Sequence, residues 1–98
     1  IDLFDTGDKQ RLVGGTIKAV GGIENIKMIQ SSMYQLVIQV YDPMKVDVPR
    51  LKGLGSFRVY ETRAGFRICY GEGSTMVRIG MAKAMRDSIR NLKVQDVD

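Results

Sequence analysis

From Met76 to Leu92 the apolar and small residues recur at helical spacing. Met76, Val77, Gly80, Met81, Ala84, Met85, Ser88, Ile89 and Leu92 share one stripe, while Arg78, Lys83, Arg86, Asp87 and Arg90 fall off it. A helix with one apolar side needs a facing apolar surface. Residues 33–41 supply one. Tyr34, Leu36, Ile38 and Val40 fall on one side of a strand pattern, and Gln35, Val37 and Gln39 on the other. A one-sided strand and a one-sided helix bury each other, so the chain is expected to form two layers.

The other segments complete that plan. Leu12, Val13, Thr16, Ile17 and Val20 read as a first helix, with Asp8 as its cap and Gly21-Gly22 as its stop. Gly14 and Gly15 weaken it by about 1 kcal/mol each relative to alanine. Residues 26–31 read as a short strand, with Ser31-Ser32 as a tight connection to the next. Asp42-Pro43 ends the second strand. Asp47 and Pro49 open a short helix carrying Val48, Leu51 and Leu54. Residues 57–61 and 66–70 read as a hairpin around TRAG, with Gly65 available for positive φ and Phe57, Val59, Phe66 and Ile68 as core. Ser74 is the candidate N-cap of the last helix. The expected fold class is α+β: a four-stranded antiparallel sheet covered on one face by about three helices, in the order α-β-β-α-β-β-α.

Composition narrows the chemistry. The 98 residues suit a single domain with its own core. There is no histidine, so a serine-histidine-acid triad is excluded and the commonest general base is missing. One cysteine, Cys69, allows no intrachain disulfide; together with the missing histidine it leaves no zinc ligand set, and it suits a reducing compartment. Neither a metal nor a cofactor is expected. The acidic stretch from Ile1 to Asp8 lacks the apolar segment of a secretory leader, and no run approaches the ~20 apolar residues of a membrane span. A chain opening at Ile1 is expected to be a soluble piece of a longer protein. The net charge of +4 is mild, and the basic residues are scattered rather than blocked.

An ordered set of short motifs then adds a resemblance. Gly21-Gly22-Ile23-Glu24-Asn25-Ile26 is followed by Asp42-Pro43-Met44-Lys45-Val46-Asp47. Leu51-Lys52-Gly53-Leu54-Gly55 comes next, and Gly65-Phe66-Arg67-Ile68-Cys69-Tyr70-Gly71 closes the series. From about Lys9 to Arg86 this resembles the IIB domain of the glucose family of the phosphoenolpyruvate-dependent sugar phosphotransferase system. Residues 1–8 read as a linker or tail and 93–98 as a frayed end, and the resemblance implies 9–92 as a IIB-like domain. It implies a sheet with helices on one face, and a position on the cytoplasmic side of the bacterial inner membrane. The implied partners are IIA-like and IIC-like domains of a sugar transporter, in the same chain or separate. Contact with the membrane would come only through the parent protein, and no direct nucleic-acid contact is implied. In that family a cysteine at the first hairpin takes a phosphoryl group from IIA and passes it to sugar at IIC.

The family's hairpin motif, Cys-Ile-Thr-Arg-Leu-Arg, aligns with Ser32, Met33, Tyr34, Gln35, Leu36 and Val37. Only the leucine is kept. The phosphoacceptor position is Ser32, and Ser31, Met33, Tyr34, Gln35 and Val37 are the other phosphate-loop positions. A thiol with an ordinary pKa near ~8.5 can supply thiolate at neutral pH. A hydroxyl needs a neighbouring base, and Gln30, Tyr34 and Gln35 are poor ones. Gln35 and Val37 also lack the fixed cationic fork with which arginine holds phosphate, a loss of roughly 1.5–3 kcal/mol for each charged hydrogen bond.

The resemblance therefore points to a degenerate IIB-like domain kept for structural or regulatory docking. Two alternatives stand beside it. One is an active phosphocarrier that uses Ser32, or one whose native cysteine was changed to serine. The other is a weak nucleic-acid or protein-binding module. Arg58, Arg63 and Arg67 are candidate helpers for a phosphate if the fold brings them to the hairpin. Gly71-Glu72-Gly73-Ser74 reads as a turn and cap, with anion binding at the helix start opposed by Glu72. Cys69 is expected to be a structural thiol. Val37 is expected to face away from the core beside Ile29 and Tyr60, on a surface suited to a partner.

Overall fold

Two glycines end the first helix, α1 (Thr6–Ala19), in a bonded turn. Gly22 N–H donates to Ile17 O at 2.8 Å and Gly21 N–H to Lys18 O at 3.1 Å, which satisfies the last free carbonyls. Both glycines have positive φ (99° and 95°). A computed structural model describes residues 6–56 and 58–96. Its further elements are β1 (Ile26–Ser31), β2 (Leu36–Val40), α2 (Val48–Gly53), β3 (Val59–Glu61), β4 (Gly65–Ile68) and α3 (Ser74–Asp96). The order α-β-β-α-β-β-α is as expected. Phe57, expected in the core, lies outside the described residues.

The strands form one antiparallel sheet in the order β1-β2-β4-β3. Register decides the two faces. Ile29 pairs with Ile38, Ser31 with Leu36, Leu36 with Ile68 and Ile38 with Phe66. Leu36, Ile38 and Ile68 are completely buried beneath the helices, with Leu12, Val20, Leu51, Val77 and Met81. Helix α3 packs on β1, β2 and α1, and α2 packs on α1 and β3. The opposite face carries Gln30, Val37, Arg67 and Tyr60 in one row across all four strands.

Several local expectations change. Helix α1 begins at Thr6, so residue 8 lies within its first turn and does not cap it. Tyr34 is not on β2; it stands in the loop, 55% exposed, because β2 starts only at Leu36. Ile29 is on the core face, since a register shift between Ile26 and Met28 inverts the alternation of β1; Val37 has Gln30 as its neighbour instead. Met76 and Ile89 belong to the apolar stripe of α3 by spacing yet remain exposed, because the stripe is wider than the surface it covers. Ser74 has helical φ and ψ, since a 3₁₀ turn (Gly71–Gly73) runs straight into α3. Its hydroxyl is buried and has no partner among the described residues.

Gly65 also has a different role from the one expected. It does not adopt positive φ. It is buried in β4 opposite Gln39, where an added Cβ would run into the Ile38 carbonyl oxygen and stand 2.8 Å from Gln39 Cα. Close backbone approach, not turn geometry, selects glycine there.

Polar side chains tie the ends of elements together. Asn25, buried, donates from Nδ2 to Val20 O at 2.7 Å and to Asp42 O at 3.0 Å, and its Oδ1 accepts from Asp42 N at 2.8 Å. Asp47 caps α2 as expected, accepting from Arg50 N at 3.1 Å. Tyr70 and Thr16 share a buried hydroxyl–hydroxyl bond of 2.7 Å. Burial pushes the Tyr70 phenol above its ordinary value, and the bond from Thr16 opposes that shift more weakly.

Two predictions follow from these contacts. Gly65→Ala should destabilise the domain by roughly 1–3 kcal/mol, the usual cost of forcing extra volume into a packed site, read from the denaturant midpoint. The second concerns alkaline pH. Tyr70 in the unfolded chain titrates near ~10, and folding raises it, so the folded state binds the extra proton. Its contribution is complete below the unfolded value and is lost as pH rises through the folded one. Wild-type stability should therefore fall more steeply over an alkaline series than that of Tyr70→Phe; parallel curves would contradict this assignment.

Candidate functional site

The loop joining β1 to β2 is four residues long, from Ser32 to Gln35, and Ser32 N–H donates to Gln35 O at 2.9 Å to close it. Residue 32 thus sits at the tip of the opening hairpin. Ser32, Met33 and Tyr34 are exposed, with Met33 71% accessible. No side chain bonds the Ser32 hydroxyl among the described residues.

The other aligned positions divide between the two faces. Ser31 pairs with Leu36 and so points to the helical side. Gln35 is half-buried and donates from Nε2 to Cys69 Sγ at 3.6 Å. Val37 lies on the open face between Gln30 on β1 and Arg67 on β4. Cys69, distant in sequence from the hairpin, is therefore beside it in space. Its own N–H donates to Arg58 O at 2.8 Å, which sets Arg58 on the far side of the thiol.

The three candidate helper arginines have different fates. Arg67 shares a row with Val37, so one guanidinium stands on the strand next to the position where the resemblance expects an arginine. Arg58 Nη1 donates to Tyr60 Oη at 3.1 Å, and this bond raises the already high pKa of an exposed guanidinium. Arg63 lies beyond β3 in the β3–β4 turn, near Lys27 and Tyr41, at the opposite end of the sheet from the hairpin.

An arginine that sequence reasoning placed on the solvent side approaches the hairpin more closely. Arg78, on α3, donates from Nε to Ser31 Oγ at 2.8 Å. Ser31 Oγ also lies 3.5 Å from Thr75 Oγ1. These groups border an open groove of about 440 Å³ lined by Ile29, Gln30, Ser31 and Arg78. Nothing in the local pattern of α3 signals this contact, since it joins residues 47 apart in the chain. Among the described residues no cluster of three His, Cys, Asp or Glu side chains could hold a metal ion.

The arrangement can be compared with known proteins. No protein-family model matches the chain. One solved structure, the crystal structure of one domain of the PTS system, IIabc component from Clostridium difficile, superposes with a TM-score of 0.71. The match covers 84% of this chain and 86% of that one, at 18% sequence identity. The chain has the fold of a PTS domain. At that identity the likeness establishes architecture, and the hairpin residues have to be read from their own chemistry. Among the described residues no helix of this PTS-type fold is long and apolar enough to cross a membrane.

The Gln35–Cys69 contact yields a direct test. Gln35→Ala should uncover the thiol and raise the alkylation rate of Cys69 severalfold in the folded protein, followed by intact mass against time. An unchanged rate would show that Gln35 does not shield the sulfur.

Proposed function

We propose that this chain is a IIB-like domain of a phosphotransferase-system sugar transporter that does not carry phosphate on the usual residue. Its role is docking to IIA-like and IIC-like domains on the cytoplasmic side of the bacterial inner membrane. The observation that carries the reading is the Ser32 hydroxyl at the hairpin tip. Among the described residues neither a base nor a cation is bonded to it, on a fold shared with a PTS domain. A nucleophilic hydroxyl needs a proton acceptor, and a phosphoryl group on it would need donors. Gln35 directs its amide to Cys69, and Val37 is apolar.

Docking is supported by what surrounds the silent position. Met33 and Tyr34 project from the tip, and Val37 and Tyr60 share the open face with Arg67. Exposed apolar and aromatic side chains bordered by arginine are the residue types that anchor protein interfaces.

The reading predicts the outcome of phosphotransfer. Incubated with phosphorylated IIA, the wild-type chain should gain no phosphoryl group by intact mass. Ser32→Cys alone should label poorly, and Ser32→Cys combined with Gln35→Arg and Val37→Arg should label better. Acid-stable phosphate on wild-type Ser32, or labelling that maps to Cys69, would sink the silent-domain reading. Strong labelling of Ser32→Cys alone would show that the lost arginines do not matter.

A further inference from the structure

The groove between β1, an edge strand of the sheet, and the first turns of α3 lies beside the hairpin. It contains a half-buried guanidinium with no acidic partner. Arg78 uses Nε on Ser31 Oγ, and among the described residues no carboxylate pairs with its remaining nitrogens. A charge withdrawn partly from water without a counter-charge is costly to hold, and bound anion relieves that cost. The Nε bond to Ser31 orients the planar fork, and among the described residues no bond to its two terminal nitrogens is made.

The neighbouring groups suit an oxyanion. Ser31 Oγ accepts from Arg78 Nε at 2.8 Å and donates to Thr75 Oγ1 at 3.5 Å, which leaves the Thr75 proton available. Gln30 also borders the groove, with its Nε2 donating to Met28 Sδ at 3.9 Å. The first turn of α3 itself carries no acidic residue, and the nearest carboxylate in sequence is Glu72 in the 3₁₀ turn before it. Glu72 precedes α3 and is exposed, with no bond to Arg78 among the described residues.

We propose that this groove binds a phosphate-type tetrahedral oxyanion non-covalently, with Arg78 as its cation, Thr75 as its hydroxyl donor and Ser31 positioning both. The proposal goes beyond the docking function and does not rest on it, because no transporter component enters the argument. No bond is made or broken. An open groove admits either free phosphate or a phosphate carried on a larger molecule.

The test is a titration of the ¹⁵N-labelled chain, in phosphate-free and sulfate-free buffer, with inorganic phosphate and separately with phenyl phosphate. Sodium chloride at matched ionic strength is the control. Saturable shifts are expected at the amides of residues 29–31 and 74–78, and not at those of 58–67. Arg78→Gln should weaken binding about tenfold or more, the scale of one charged hydrogen bond, and Ser31→Ala should weaken it less. Dispersion of the amide spectrum establishes that each variant is folded. Binding of both probes assigns the site to a phosphate with a substituent; binding of inorganic phosphate alone assigns it to the free ion. Shifts that do not saturate, that chloride reproduces, or that persist unchanged in Arg78→Gln would overturn the proposal. So would loss of binding in Arg67→Gln with Arg78→Gln unaffected. Failure here would leave the phosphotransfer test untouched, since that test reads covalent labelling at the hairpin.

Discussion

Leu36 and Ile38 on β2 make contacts in three directions. Each pairs with a residue of β1 on one side and of β4 on the other, and each is wholly buried against the helical layer. A slip of one residue in β2 would turn both side chains to water and bring Val37 and Gln39 inward. The register of the sheet is therefore held by the core face, and the hairpin tip inherits its position from that register. So does the approach of β4 to β2 at Gly65, where only a hydrogen fits against the Ile38 carbonyl.

That arrangement separates two chemistries around one hairpin. Residues with open-face parity, Val37, Arg67 and Tyr60, form a surface with aromatic and cationic character. Ser31 has the opposite parity and faces α3, where Arg78 meets it. Ser32 belongs to neither group, because it lies in the loop beyond the last strand pair. A hydroxyl in that position has water as its main neighbour, which is a poor setting for a nucleophile without a base. The same hairpin can thus be silent as an acceptor and still shape two binding surfaces.

The arginines show how position alters meaning. Gln35 and Val37 stand where the resemblance leads one to expect arginines. Yet Arg67 stands across from Val37, and Arg78 reaches the residue before Ser32. The neighbourhood of the hairpin is less stripped of positive charge than the motif alone implies. What it lacks is a guanidinium on the hairpin itself, bonded to the residue 32 hydroxyl.

The chain by itself determined the layer plan. Alternation through Leu36–Val40 and the stripe through Val77–Met85 follow from local geometry, and so do the Asp47 cap and the Gly21-Gly22 stop, because each involves residues a few positions apart. It also determined that residue 32 is an alcohol with no histidine to activate it. Tertiary structure alone decided which face Ile29 takes, since the irregularity in β1 has no mark in its composition. It decided that Gly65 serves a close approach instead of a turn, and that Cys69 and Arg78 lie beside the hairpin. The last two depend on strand order and on a helix laid across a sheet, contacts that span 34 and 47 residues and leave no periodic trace along the chain.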